Sequence, residues 1–433
     1  MRFLIASSLG VFLEFLDFTL YGYAATIIAS VFFPKSNSAL DYAFIIFAIG
    51  SIFRLIGTIT FGYIGDIIGV KKVLTISILL MAFATIGIGI LPGYALIGMW
   101  APCILLILRC IQGFAVSPEY NAISVYLSRQ KNIRHYSFIS SFSVAIVGFG
   151  MLTSGYLMSK LVGNYSLETL PELRWRLVFI LSGAILGITV FALRLSMDTG
   201  IAHSNPLPKN NSPIPSLLNS LCSNNTSLKQ ENYFLANSTI IPILNIFKTQ
   251  KKQLIITTLT TGFIAILSYS LNSFIPAYLQ KYRSIPLKDA LHLTSDYVYI
   301  MIIIILLAGF ISDYIKREKI IAYSILVTAI LSPAIFYKLA YGSYVEIKYS
   351  LLVFSVLLGT MSGGIPAFLA TVFYDNQRYS GSSFAYNFGM AFFGGITPWF
   401  MFKVSTVHWA IPGAIIFVFG IILFYSLRVF YNE

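Results

Sequence analysis

The chain has 433 residues, of which 57% are hydrophobic and 10% charged, with a mean hydropathy of +0.80. Soluble domains carry about 25% charged residues, so a soluble globular protein is excluded and a membrane protein is expected. The formal net charge of +13 follows the loops, with Lys and Arg in excess on the side that becomes cytoplasmic, and nothing in its pattern points to a nucleic-acid partner. Cys103, Cys110 and Cys222 offer neither a disulfide framework nor a metal-ligand spacing and read as small apolar filler.

A window of about 20 residues crosses a hydrocarbon core of about 30 Å. Such windows pick out apolar segments at 4–33, 42–64, 73–92, 97–128, 137–162 and 175–195, then at 253–280, 297–314, 320–340, 350–373, 381–402 and 408–428. The first run follows Arg2, as a signal peptide would. It is too long, holds two acids and lacks a small-residue cleavage pattern, so it reads as a permanent span. Between the two sets of six lies 196–252, with "NPLPKNNSPIPSLLNSLCSNNTSLKQENY", rich in Asn, Ser and Pro and without periodicity; a partly disordered linker is expected there. The predicted fold is an all-α membrane protein of 12 transmembrane helices in two six-helix bundles, 1–195 and 253–433, joined by a cytoplasmic linker. Both termini are expected in the cytoplasm.

The halves echo each other. "FGYIGDIIGVKKVL" (61–74) and "AGFISDYIKREKII" (308–321) each carry a Gly, an Asp a turn later at a helix end, and then a basic cluster on the same predicted side. With six spans per half, this matches a parallel internal repeat, which is a transporter signature. Asp66, Lys72 and Asp313 are the gating candidates.

Four stretches resemble the major facilitator superfamily, and within it the metabolite:proton symporter branch that includes the proline/betaine, α-ketoglutarate, citrate and shikimate permeases. They are "FLEFLDFTLYG" (12–22), "FRLIGTITFGYIGD" (53–66), "LRCIQGFAVSPEYNAISVYLS" (108–128) and "QRYSGSSFAYNFGMAFFGGITP" (377–398). Gly62, Asp66, Gly69 and Lys72 keep the superfamily's loop motif, whereas Ile67 and Val70 replace two of its basic positions. Leu55 stands where the branch has Pro, and Ser117 and Pro118 where it has Gly-Gly. The resemblance implies a monomeric transporter in a bacterial-type inner membrane, with helices 1 and 4 lining a central cavity. The chain ends at Glu433 soon after helix 12, without the long extension of osmosensing members, so control through such a tail is not expected.

The chemistry gathers in the first half. Glu14, Asp17 and Tyr21 recur at i, i+3 and i+7 and so form a stripe on one helix. A charge at mid-membrane costs on the order of 3 kcal/mol, so each acid should face the bundle and find a partner; Arg54 and Arg109 are the two arginines deep inside spans. Two acids so close in a low dielectric seldom carry both charges, which makes Asp17 the expected proton carrier and Glu14 its coupled neighbour. A purely structural ion pair is the alternative for both. Arginine grips a carboxylate through two donors, so Arg109 is the expected anchor for a substrate carboxylate, with Gln112 one turn on. Arg54 is either the partner of Asp17 or a second anchor, and Glu119 has a binding or a gating role. The second half offers Tyr269, Asn272 and Asn387, and helix 7 is expected to break near Pro276.

These residues lead to a proton-coupled symporter for a small organic anion or zwitterion, working by alternating access. Protonation of Asp17 would free an arginine for the substrate. A zwitterion such as proline or betaine is slightly favoured, because the embedded acids offset the bases and aromatic faces suit an ammonium group. The alternatives are a di- or tricarboxylate such as α-ketoglutarate or citrate, and a drug-efflux antiporter of the same fold, although "SVAIVGFGMLTSG" (143–155) lacks the proline of the antiporter motif. No nucleophile motif, metal cluster or phosphate-binding Gly-rich loop appears, so neither an enzyme nor a cofactor is expected.

Overall fold

The computed structural model describes residues 2–36, 38–68, 70–116, 135–162, 172–188, 246–374 and 378–432. In a hydrocarbon medium every backbone N–H and C=O must be satisfied within the segment, and the apolar runs accordingly close into helices. Among the described residues twelve main helices follow in order, with one short additional helix, Tyr94–Ile97, between the third and the fourth. They are α1 (Arg2–Tyr23, continued by Ala25–Phe32), α2 (Ala39–Ile68), α3 (Val70–Ile90), α4 (Trp100–Ala115), α5 (Tyr136–Val162) and α6 (Glu172–Leu181 with the wide turn Ser182–Leu186). Then come α7 (Lys251–Tyr269, Ser270–Phe274, Ile275–Arg283), α8 (Leu287–Ile311), α9 (Arg317–Tyr341), α10 (Tyr344–Gly363, Ile365–Val372), α11 (Arg378–Phe388, Gly389–Gly394, Gly395–Val407) and α12 (Ile411–Asn432). Seven described segments are long and apolar enough to cross a membrane, and the two parts of α1, bent by 61° at Ala24, make an eighth. Glu119, expected on helix 4, and nearly all of the expected linker lie outside the described residues.

The breaks have chemical causes. Pro276 has no N–H to return to the carbonyl of Asn272, so α7 opens into one π-helical turn, Ser270–Phe274, just before it. In α11 Pro398 lies four residues past the π turn Gly389–Gly394 and leaves the carbonyl of Gly394, its last residue, without an N–H donor. Both turns face the partner bundle: the α7 turn packs on α1 and the α11 turn on α2.

The bundles meet along α1 with α7, α2 with α11, and α5 with α8 and α10. Small residues set the closeness of approach, as they do between membrane helices. A Cβ on Gly22 would collide with Ser273, and one on Gly155 with Ser295. On the outer side in the expected orientation, Lys403 of α11 reaches Asp41 of α2 at 3.5 Å, and Phe44 lies against Phe402. At the opposite end the carboxylate of Asp313 accepts the backbone N–H groups of Ser137 and Phe138 at 2.7 and 3.1 Å, with His135 Nδ1 at 3.8 Å. A negative charge at the start of α5 is favourable there because the first N–H groups of a helix lack internal acceptors. Each end of the interface is therefore held by contacts between the bundles.

Candidate functional site

Glu14 and Asp17 stand three residues apart on α1, about 60° around its axis, and that angle sends them to different neighbours. Asp17, 5% exposed, turns toward α3 and α4. The Thr85 hydroxyl donates to its Oδ2 at 2.5 Å and the Gln112 amide to the same oxygen at 2.8 Å. Gln112 in turn accepts from Arg109 Nη1 at 2.6 Å. Glu14, 2% exposed, turns toward α2 instead, where Arg54 Nη2 donates to its Oε1 at 3.1 Å. The Nε of Arg54 donates across the interface to Asn387 Oδ1 at 2.8 Å, and Asn387 Nδ2 is held by the Ser383 carbonyl at 3.0 Å.

These contacts revise the expected pairing. Asp17 makes no direct bond with either arginine; its link to Arg109 passes through Gln112, and Arg54 belongs to Glu14. Fixing these partners requires the rotation of α1 against its neighbours, which the stripe alone does not give.

Aromatic rings surround both guanidinium groups. Arg109 lies over the rings of Tyr21, Phe47 and Phe18, at 4.2, 5.1 and 5.3 Å from their centroids. Tyr269 of α7 meets Phe18 and Phe47 edge-on, which closes the ring cluster from the second bundle. Such contacts stabilise a desolvated cation by about 2 kcal/mol. Arg54 sits between Phe15 and Tyr386, at 6.0 and 5.9 Å. The Tyr21 hydroxyl is spent on the carbonyl of Ala43 at 3.0 Å, so Tyr21 contributes its face rather than its hydroxyl.

Polar capacity is left over in this core. Among the described residues, Asp17 Oδ1 and Arg109 Nε are buried without a hydrogen-bond partner, whereas buried polar atoms are ordinarily paired. A cavity between the bundles is lined by Phe15, Met151, Thr261, Ser268, Met301 and Tyr386, so two of its walls are the rings that flank Arg54. No group of three or more metal-ligating side chains occurs among the described residues.

Of the remaining candidates, Asn272 accepts the Tyr23 hydroxyl at 2.7 Å and donates to the Ser268 carbonyl at 2.8 Å, at the contact of α1 with α7. Asp313 is at the start of α5, as described, and Lys72 is exposed. The side chain of Asp66, and Glu119 altogether, lie outside the described residues. Sequence reasoning passed over Thr85, Tyr23, Phe18 and Phe47. Thr85 had a signal, being a lone polar residue in "MAFATIGIGI" (81–90); the phenylalanines had none among 36 in the chain.

A bundle pair of this kind, with charges buried between two repeats, is the architecture of a membrane carrier. The chain matches the Major Facilitator Superfamily over residues 7–398 and belongs to that family. It is therefore a multi-pass membrane transporter and not an enzyme. The proline/betaine transporter of Salmonella typhimurium is 28% identical over 412 residues, covering 91% of this chain and 75% of that protein. The citrate-proton symporter of Salmonella typhi is 28% identical over 405 residues, covering 90% and 84%. The solved structure of the proton:xylose symporter XylE with 6-bromo-6-deoxy-D-glucose superposes with a TM-score of 0.73 over 99% of this chain and 95% of that one; at 18% identity it shows the shared fold.

Proposed function

We propose that the chain is a proton-coupled symporter that imports a small carboxylate-bearing metabolite, with a zwitterion such as proline or betaine favoured over a dianion. The observation that carries this reading is the balance of the buried core: two acids, Glu14 and Asp17, face two arginines, Arg54 and Arg109, all at most 5% exposed. With Asp17 protonated the core carries a single surplus positive charge, which the carboxylate of a zwitterion can meet and a dianion would overcompensate, and the rings beside each guanidinium suit an ammonium group as well. The relative named a citrate-proton symporter supports the coupling, and the relative named a proline/betaine transporter supports the zwitterion.

In this mechanism Asp17 takes the proton on Oδ1, since Oδ2 already accepts two hydrogen bonds. Neutral Asp17 holds Gln112 less strongly, Gln112 releases Arg109, and Arg109 Nε and Nη1 become donors for substrate. Arg54 is the second anchor, a role supported by its place between two rings that line the inter-bundle cavity. A substrate carboxylate that replaces Glu14 on Arg54 also loosens Arg54 from Asn387, and so frees one bundle to move on the other. Tyr269, Asn272 and Asn387 shape the site from the second bundle, Asp313, with Asp66 and Lys72, belongs to the cytoplasmic gate, and Glu119 keeps its binding, gating or structural role.

The same reading places the bundles at 1–195 and 253–433 around a cytoplasmic linker, in an inner membrane, as a monomer with both termini inside. A di- or tricarboxylate is the second reading, favoured by the unspent Nε of Arg109 and by the citrate relative. The test is uptake of radiolabelled betaine, proline, α-ketoglutarate and citrate into proteoliposomes with an imposed pH gradient. Protonophore-sensitive accumulation of one of them is expected, and its identity chooses between the two readings. Accumulation of none, with the protein folded, would contradict proton symport.

A further inference from the structure

A second cavity lies within the first bundle, between α1, α3, α4 and α6, and shares no lining residue with the cavity between the bundles. Both acids, Glu14 and Asp17, line it, and neither lines the inter-bundle cavity. Thr85 stands at its level nearest Asp17, and Ser77 and Ala115 lie further along. Ser77 precedes Thr85 by eight residues on α3, about 12 Å toward the end of the helix that carries Lys72. Ala115 is the last residue of α4 and Gly10 lies two turns before Asp17, so all three walls extend the cavity toward the same, proposed cytoplasmic, end. The floor from α6 is Ser182, Gly183 and Gly187; the two glycines let α6 pack closely on Ala82 and Ile86 of α3.

We propose that the proton leaves Asp17 through this cavity, along water held by Ser77, while the substrate leaves between the bundles. This rests on the symporter reading above. The O–H bond on Asp17 breaks toward a water oxygen, and each water passes a proton onward. One proton reaches cytoplasmic water and the carboxylate of Asp17 is left behind. Among the described residues, the charged groups that face Asp17 are Glu14 on its own helix and Arg109 on α4, beyond Gln112, and α3 and α6 bring only hydroxyl and apolar groups to the cavity. Buried water needs two to four polar partners, and Asp17, Glu14, Thr85, Ser77 and Ser182 supply them. A separate exit lets the proton depart without passing the substrate or the Arg54–Asn387 bridge.

The test compares two transport modes in proteoliposomes for Ser77→Val and Ala115→Leu, which fill the cavity at its far end. The solute is whichever of betaine, proline, α-ketoglutarate and citrate the parent protein accumulates under a pH gradient. If the parent accumulates none, the symporter reading fails before either variant is tested, and the inference falls with it. Given a working parent, gradient-driven accumulation and proton entry reported by trapped pyranine should each fall at least about tenfold. Counterflow, which exchanges solute without net proton movement, should stay within about twofold and shows that the protein is folded. Accumulation retained in both variants would overturn the proposal. So would parallel loss of accumulation and counterflow in both variants, because the cavity would then serve the path of the substrate itself.

Discussion

Glu14 and Asp17 are one turn apart on α1, and their surroundings divide the site into two devices. The Asp17 set (Thr85, Gln112, Arg109) is contained in α1, α3 and α4 and travels as a unit when one bundle rocks on the other. The Glu14 set crosses the interface, because Arg54 holds Glu14 of its own bundle and Asn387 of the partner. Rocking must break the second set and can leave the first intact. A proton site benefits from constant geometry through the cycle, whereas a coupling element has to differ between states. On this division we propose that Asp17 binds the proton and that Arg54 makes the state-dependent contact.

Breaking the bridge at its centre has the largest expected effect. Arg54→Ala leaves Glu14 buried without its cation, at a cost of about 3–5 kcal/mol, and uptake is lost with it. Thermal unfolding in detergent measures the loss. In a double-mutant cycle, Arg54→Gln with Glu14→Gln should recover stability relative to Arg54→Gln alone. Gln112→Leu cuts the link between Asp17 and Arg109 inside the first bundle and leaves both ends underbonded, at about 1–3 kcal/mol. Uptake velocity should fall while the reactivity of single cysteines placed along α2 and α11, which reports the inward–outward equilibrium, is unchanged. Asn387→Ala should do the opposite. It removes one bond to a charged donor, about 1.5–3 kcal/mol at most, and shifts that cysteine reactivity while uptake velocity falls less than in Gln112→Leu. The smallest effect belongs to Lys403→Ala: the pair with Asp41 is exposed, with the lysine side chain 59% accessible, so about 0–1 kcal/mol is at stake and uptake rates should barely move.

The sequence carried the architecture because hydrocarbon solvent imposes one rule on every span. Among the described residues each apolar run holds a helix, and the α7 break falls just before Pro276, where a missing N–H must show. The charged residues were legible for the same reason, since Glu14, Asp17, Arg54 and Arg109 stand out in apolar runs. Their pairing was not, because a 60° difference in direction and the length of the arginine side chains decide which acid meets which base. Gln112 as the intermediary of Asp17 and Arg109, and the ring cluster of Phe18, Tyr21, Phe47 and Tyr269, depend on packing between segments far apart in the chain. Asn387 was recognised as a polar residue of the second bundle, but its bond to Arg54 required the register of α2 against α11.

The separation of the two devices is tested most directly by Asp17→Asn and Glu14→Gln side by side, measuring accumulation under a pH gradient and counterflow in the same proteoliposomes. The expected result for Asp17→Asn is loss of accumulation by about 10²-fold or more, with counterflow preserved and no longer dependent on pH. Glu14→Gln should impair both modes together, because it loosens the element that ties the bundles. If Asp17→Asn accumulates substrate as well as the parent, or if the two variants show the same pattern, Asp17 is not the proton site and the division between the two sets is wrong.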